Sequence, residues 1–178
     1  MSKNLAQVNN TKMKIRSFAE EDIPTITTSF ANADWPKSTS TFQTYWQEQE
    51  EGVRHVWVAH VDQQFAGYIT LKWESNYKPF SDQNIPEIMD LNVLPLFRRN
   101  GVGARFLDTA EAMAATKTNQ VGIGVGLYSD YGSAQRLYIK RGYIPDGRGV
   151  TYNYQPITPG SNILLDDELV LWFVKQLK

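Results

Sequence analysis

The run Arg98-Arg99-Asn100-Gly101-Val102-Gly103 puts two cations and two glycines at a helix start, a combination that suits a phosphate. Just upstream, Glu87-Ile88-Met89-Asp90-Leu91-Asn92-Val93 is rich in large and β-branched side chains and reads as a strand ending near Leu94-Pro95. Just downstream, Val102, Phe106, Ala110, Met113 and Ala114 recur at helical spacing. A strand, turn and helix in this order aim the unpaired N–H groups of the helix's first turn at whatever occupies the turn, with the positive end of the helix dipole behind them. Backbone N–H groups from Arg98 to Ala104 would then hold a diphosphate. Gly101 and Gly103 let its oxygens approach with no Cβ in the way.

Some thirty residues on, Ser133-Ala134-Gln135-Arg136-Leu137-Tyr138-Ile139-Lys140-Arg141-Gly142-Tyr143 reads as a short helix ended by Gly142, with Ala134, Leu137, Tyr138 and Arg141 on one stripe. Arg-x-x-Gly-x-Gly opening one helix and Ala-x-x-x-Tyr-x-x-x-Gly-Tyr on another together resemble the two signature segments of the GNAT superfamily of acetyl-CoA-dependent N-acetyltransferases. The resemblance runs from about Met13 to the strand near Leu169–Val174. It implies acetyl-CoA as cosubstrate and an amine as acceptor. It also implies that the free strand edge at Leu91, Asn92 and Val93 pairs with the pantetheine arm, and that Ser133, Ala134 and Tyr138 lie beside the cofactor. In the family this strand and the next splay apart and the thioester sits between them; here the next strand is Val121–Tyr128. Where the family often carries Asn three positions before the alanine, this chain has Tyr131.

The resemblance also suggests catalytic roles. Tyr138 matches a tyrosine that protonates the departing thiolate, and a phenol of pKa ~10 is protonated at neutral pH yet close in strength to a thiol. By its spacing alone, Tyr138 is equally one more core aromatic on an apolar stripe. Glu87 lies eleven residues before Arg98, the offset at which histone-acetylating members place a glutamate that deprotonates lysine through a water. A solvated residue at a strand entrance is the other reading, and Asp90 is the second candidate base. Simple alternation puts Glu87 with Met89, Leu91 and Val93, and Asp90 with Asn92 on the opposite face. Gly122, Gly124 and Gly126 alternate with Val121, Ile123 and Val125, so one strand face is bare and something bulky must cover it: a ligand, backbone, or a neighbouring aromatic.

Composition narrows the alternatives. The chain of 178 residues, 42% hydrophobic, is long enough for one sizeable core and too short for a second ordinary domain. A net charge of −1 and a pI near 6.1 argue against a broad nucleic-acid footprint. The absence of cysteine excludes an acyl-cysteine intermediate, so transfer would be direct. His55 and His60 fall on opposite faces of one strand, and with no ligand-like spacing around them no metal is expected. With no membrane-length apolar run and no signal-peptide core, a soluble, cytoplasmic protein is expected, with no membrane partner. A homodimer is left open.

The elements that must position these residues alternate without repeats. Residues 1–12 read as a flexible N-terminal segment and 13–178 as a single domain. Met13–Phe18 is a strand, Glu20-Glu21-Asp22 opens a helix reaching about Phe30, and Ser40–Glu50 is a second helix. Val53–Val61 and Phe65–Glu74 form a hairpin, and Ser75–Pro86 is a loop long enough to cover a site. Then follow the Glu87–Leu94 strand, the Arg99–Thr116 helix, the Val121–Tyr128 strand, the Ser133–Arg141 helix and strands around Tyr143–Pro145 and Leu169–Val174. The fold class is α/β (α+β): a mixed, mostly antiparallel sheet of about seven strands with helices on both faces.

The acceptor is less legible. Trp35, Trp73, Tyr77, Phe80, Tyr152 and Tyr154, with Glu74 and Asp82, lie in segments the family uses around its acceptor opening and would suit a cationic amine with an apolar body. A small amine, an aminoglycoside-type drug, and a protein lysine or N-terminus all fit. Pro145-Asp146-Gly147-Arg148-Gly149 reads as a turn-rich loop that either borders the site or merely connects strands. A non-catalytic acyl-CoA sensor on the same fold is the alternative to an enzyme.

Overall fold

A computed structural model describes residues 12–178. Most of the segment expected to be flexible lies outside these residues. Lys12, its last member, is tied down, its N–H donating to Asp62 Oδ1 at 2.9 Å and its carbonyl accepting from the Asp62 N–H at 3.1 Å.

The strands are β1 (Met13–Ser17), β2 (Arg54–Val61), β3 (Gln64–Lys72), β4 (Glu87–Val93), β5 (Gln120–Gly126), β6 (Ile144–Tyr152), β7 (Gln155–Pro156) and β8 (Leu169–Gln176). They form one sheet in the order β1-β2-β3-β4-β5-β8-β6-β7, in which only β4 and β5 run parallel. The two-residue β7 makes the count eight. The Pro145–Gly149 segment is an irregular stretch inside β6. Pairing with β8 breaks between Pro145 and Val150, and Gly147 and Gly149 take φ of +79° and +81°.

The helices are α1 (Ile23–Ala31), α2 (Thr39–Glu50), α3 (Lys78–Ser81), α4 (Val102–Ala114) and α5 (Gly132–Lys140). A 3-10 turn over Glu20–Asp22 precedes α1, where Asp22 accepts from the Ala19 N–H and from both terminal nitrogens of Arg16. Ile23, Ile26 and Phe30 form the buried stripe of α1. Ser38 caps α2, its hydroxyl accepting from the Ser40 N–H.

One face of the sheet carries α1 and α2 over β2–β4 and the Glu74–Pro86 segment with α3 over β5 and β8; α4 and α5 cover the other. Aromatics cover the bare face of β5. A Cβ on Gly122 would overlap the Phe80 ring, one on Gly124 would crowd Val170 and Trp172, and one on Gly126 would overlap Tyr131. Of the three explanations for the alternating glycines, side-chain packing is the one realised.

Candidate active site

β4 and β5 make only two register pairs, Glu87 with Gly122 and Ile88 with Ile123. Beyond them β4 stays paired with β3 as far as Val93, and β5 with β8 as far as Gly126. The sheet therefore opens between β4 and β5 at Met89 and Gly124. The edge residues Leu91, Asn92 and Val93 lie along one side of the opening with no ladder partner on β5.

α4 starts at the end of this opening. Gly101 caps it with φ +80°, and Arg99 also adopts a left-handed conformation, φ +65°. The first intrahelical bond runs from the Arg105 N–H to the Gly101 carbonyl at 3.0 Å, so the N–H groups of Val102, Gly103 and Ala104 are the helix's free first-turn donors. The helix thus begins at Val102, where its apolar periodicity begins, and three residues after the expected Arg99 boundary, because Arg98–Gly101 form the turn. The Arg98 N–H is already used on the Pro95 carbonyl (3.3 Å), and the Arg98 side chain donates through Nε to the Val93 carbonyl (3.1 Å). Arg99 and Asn100 are exposed. The space next to Gly103 is bounded by Leu91 and Leu137, 3.9 and 3.5 Å from where its Cβ would lie.

Leu137 belongs to α5, which approaches β5 through the Gln135 amide on the Gly126 carbonyl (2.9 Å). Ser133 is exposed and Ala134 half-buried in the first turn of α5. Tyr138 is 4% exposed and packs against Tyr143. Its hydroxyl has no hydrogen-bond partner among the described residues, and burial pushes its pKa above the ordinary phenol value. Glu111 locks α4 to α5 and β8. It accepts from Arg141 Nε at 3.0 Å and Nη2 at 2.8 Å, from Lys175 Nζ at 2.6 Å and from the Tyr143 hydroxyl at 3.1 Å.

On the opposite face, the alternation expected for β4 fails at one residue. Asp90 has φ +52°, and the register with β3 slips between Tyr68 and Thr70, so β4 holds one extra residue there. Glu87 and Met89 pair with Lys72 and Thr70 before the bulge, and Asn92 pairs with Tyr68 after it. Glu87, Met89, Asp90 and Asn92 therefore share the face covered by α2, while Ile88, Leu91 and Val93 turn toward α4. Both candidate carboxylates lie on one side of the sheet.

Glu87 is 3% exposed and accepts from the Ser75 hydroxyl at 2.5 Å. Burial pushes its pKa up to about 7, the Ser75 hydrogen bond opposing and the nearby Asp90 charge reinforcing the rise. Asp90 accepts from the Tyr45 hydroxyl at 2.6 Å. Beneath Tyr45, the buried Arg54 guanidinium lies 4.3 Å from the ring centroid and donates to Glu48 and Thr70 at 2.5 and 2.7 Å.

The aromatic residues expected around an acceptor divide into groups. Trp35 lies near the C-terminal end of β4, between Lys37 Nζ at 4.2 Å and the Arg98 guanidinium at 5.7 Å from its ring centroid. Tyr77 and Tyr154 stack on Trp172, Phe80 meets Trp172 edge-on, and Tyr152 donates to Asp166. Trp73 is misplaced in the sequence reading: it packs on the α4 side with His55 and Lys117. Glu74 is exposed, and Asp82 pairs with Lys78 in solvent. Tyr45, Ser75 and Lys37 were missed. Their partners are 45 and 12 residues away for the first two, and Lys37 looks like any other polar residue before a helix.

Residues 52–145 match the family model described as the acetyltransferase (GNAT) domain. The chain belongs to the GNAT acetyltransferase family. A search of curated proteins gave no significant match. Among solved structures, this GNAT chain is similar to an N-acetyltransferase from Staphylococcus aureus Mu50, with 15% identity, 94% of this chain and 99% of that one covered, and a TM-score of 0.70. It is also similar to a putative acetyltransferase from Salmonella typhimurium solved with its cofactor acetyl-CoA (17% identity, 93% and 94% covered, TM-score 0.67). A third is a ribosomal-protein-alanine N-acetyltransferase from Brucella melitensis (16% identity, 92% and 99% covered, TM-score 0.67). At these identities the likeness is one of fold. No described helix of this GNAT domain is long and apolar enough to cross a membrane.

Proposed function

We propose that the protein moves an acetyl group from acetyl-CoA to a primary amine by direct attack within a ternary complex. The observation that carries this reading is the opening of the sheet beyond Ile88 and Ile123, with the free N–H donors of Val102, Gly103 and Ala104 at its end. Those N–H groups, with Arg99, Asn100 and Gly101 in the turn, suit the diphosphate. The unpaired edge at Leu91–Val93 suits the amide groups of the pantetheine arm, and Arg98 would release the Val93 carbonyl to it. Ser133 and Ala134 would flank the cofactor from α5.

Acetyl-CoA supplies an activated thioester. Glu87, with a pKa of about 7, suits the removal of a proton from the acceptor ammonium. Tyr138 stays protonated at neutral pH, held so by burial, and would hand its proton to the departing thiolate. Asp90 faces the same side as Glu87 and would hold the incoming cation.

A CoA-release assay over a broad panel of amines tests the reading. Turnover on at least one amine is expected. Tight acetyl-CoA binding without turnover on any amine would instead make the protein an acyl-CoA sensor.

A further inference from the structure

Lys37, in the connection between α1 and α2, brings a lysine amine within the influence of carboxylates from both sides of the opening. Its Nζ lies 4.2 Å from the Trp35 centroid and 5.7 Å from that of Phe30, so the ammonium is held against aromatic faces. Two carboxylates act on it, Asp90 and Asp167. They stand on opposite sides of the opening. Asp90 is the bulge residue of β4, fixed by Tyr45 at 2.6 Å; Asp167 accepts at 2.8 Å from Tyr131, whose ring covers Gly126 at the end of β5. Half-buried, Lys37 also loses ammonium stability to desolvation, which outweighs both carboxylates and lowers its pKa.

We infer that Lys37 is an internal acceptor, acetylated on Nζ by the protein's own site when acetyl-CoA is bound and no other amine competes. The inference rests on the acetyl-transfer reading given above. Lys37 Nζ, as the free amine, attacks the thioester carbonyl carbon; the C–N bond forms and the C–S bond breaks. The proton shed by the attacking nitrogen is lost to solvent, while Asp90 holds the amine in place. The thiolate takes the Tyr138 proton, which solvent restores. The products are acetyl-lysine and CoA, with no further reactant.

The experiment incubates the full chain with acetyl-CoA alone and follows acetylation of each lysine by peptide mass spectrometry. Lys78, whose side chain is 81% exposed in solvent, reports uncatalysed chemical acetylation. Lys37 is expected to react at least ~10-fold faster than Lys78, and Tyr138→Phe to slow it by ~10²-fold, the usual scale of a general acid. Its first-order rate should not depend on protein concentration. Excess CoA, which blocks the site without requiring any variant to fold, should suppress Lys37 and spare Lys78. Equal rates at the two lysines, insensitivity to CoA, or a rate that scales with protein concentration would overturn the inference. An amine panel run in parallel separates the two claims. Amine turnover with Lys37 unmodified removes only the internal acceptor, whereas no transfer to either removes the acetyl-transfer reading as well.

Discussion

Glu87 and Asp90 face the same side of the sheet although three positions separate them on one strand, because the left-handed turn at Asp90 adds a residue to β4. In a regular strand that separation would put them on opposite faces. The two carboxylates therefore cannot be sorted by orientation. Environment sorts them: Glu87 is sealed under Ser75 with its pKa raised to about 7, while Asp90 is only half-buried and held by the Tyr45 hydroxyl.

The first prediction follows. If Glu87 is the base, kcat/KM for a confirmed amine should rise with pH through about 7 in the wild type. Glu87→Gln should lower kcat/KM by ~10²-fold near neutral pH and lose that limb. Asp90→Asn should keep the limb and act mainly on KM. A pH–rate series on the three proteins decides, and a limb retained in Glu87→Gln would reassign the base.

Much of this arrangement is legible in the sequence, and the rest is hidden for identifiable reasons. The start of α4 is announced by Gly101 and the spacing of Val102, Phe106 and Ala110, because helix period and turn chemistry are local. The Asp90 bulge is not, since one inserted residue leaves the composition of β4 unchanged, and every orientation assigned across it is reversed. The glycines of β5 show that something must cover them. Which side chains do so depends on Phe80, Tyr131 and Trp172, which only the tertiary fold brings there. Trp73 could have been placed correctly, for it shares parity with the buried Ile69 and Leu71 and so turns toward α4. Tyr45 and Ser75 gave no signal because their partners are distant in the chain.

Tyr138→Phe should separate chemistry from stability. The hydroxyl has no partner among the described residues, so its removal should change the unfolding free energy by less than ~0.5 kcal/mol, while kcat falls by ~10²-fold. Burial raises the phenol pKa, so the wild type should show no alkaline loss from this group below pH ~10. Retained turnover with a large loss of stability would make Tyr138 a packing residue only.

The two glycines of the turn should respond differently. Gly101 has φ +80° and open space around its Cβ position, so Gly101→Ala is strained by its backbone and should cost about 1 kcal/mol of stability. At Gly103 an added Cβ meets Leu137 at 3.5 Å, an ordinary contact, so Gly103→Ala should leave the melting temperature unchanged or raised. If the diphosphate passes over this backbone, the same substitution should weaken CoA binding by ~10-fold, about 1.4 kcal/mol. Thermal melts with isothermal titration test both. Unchanged affinity in Gly103→Ala would remove the phosphate assignment from this turn.

The last prediction concerns the frame that holds α4 against α5. Glu111 is a half-buried carboxylate whose pKa is lowered: burial alone would raise it, but hydrogen bonds from Arg141 and Lys175 and their charges prevail. A carboxylate depressed in the fold contributes stability that is present above its unfolded value and lost as pH falls through the lower folded one. The wild type should therefore lose stability on acidification below pH ~4, relative to a Glu111→Gln variant that lacks the titration. Near neutral pH, Glu111→Gln leaves Arg141 and Lys175 without their shared charge partner and should cost on the order of 1–3 kcal/mol, discounted from the fully buried case because Arg141 retains Asp108 at 2.8 Å. Urea titrations of both proteins from neutral to acidic pH would show the two stabilities converging as pH falls. A constant difference across that range would mean that Glu111 acts through packing alone and that its charge does not tie the two helices together.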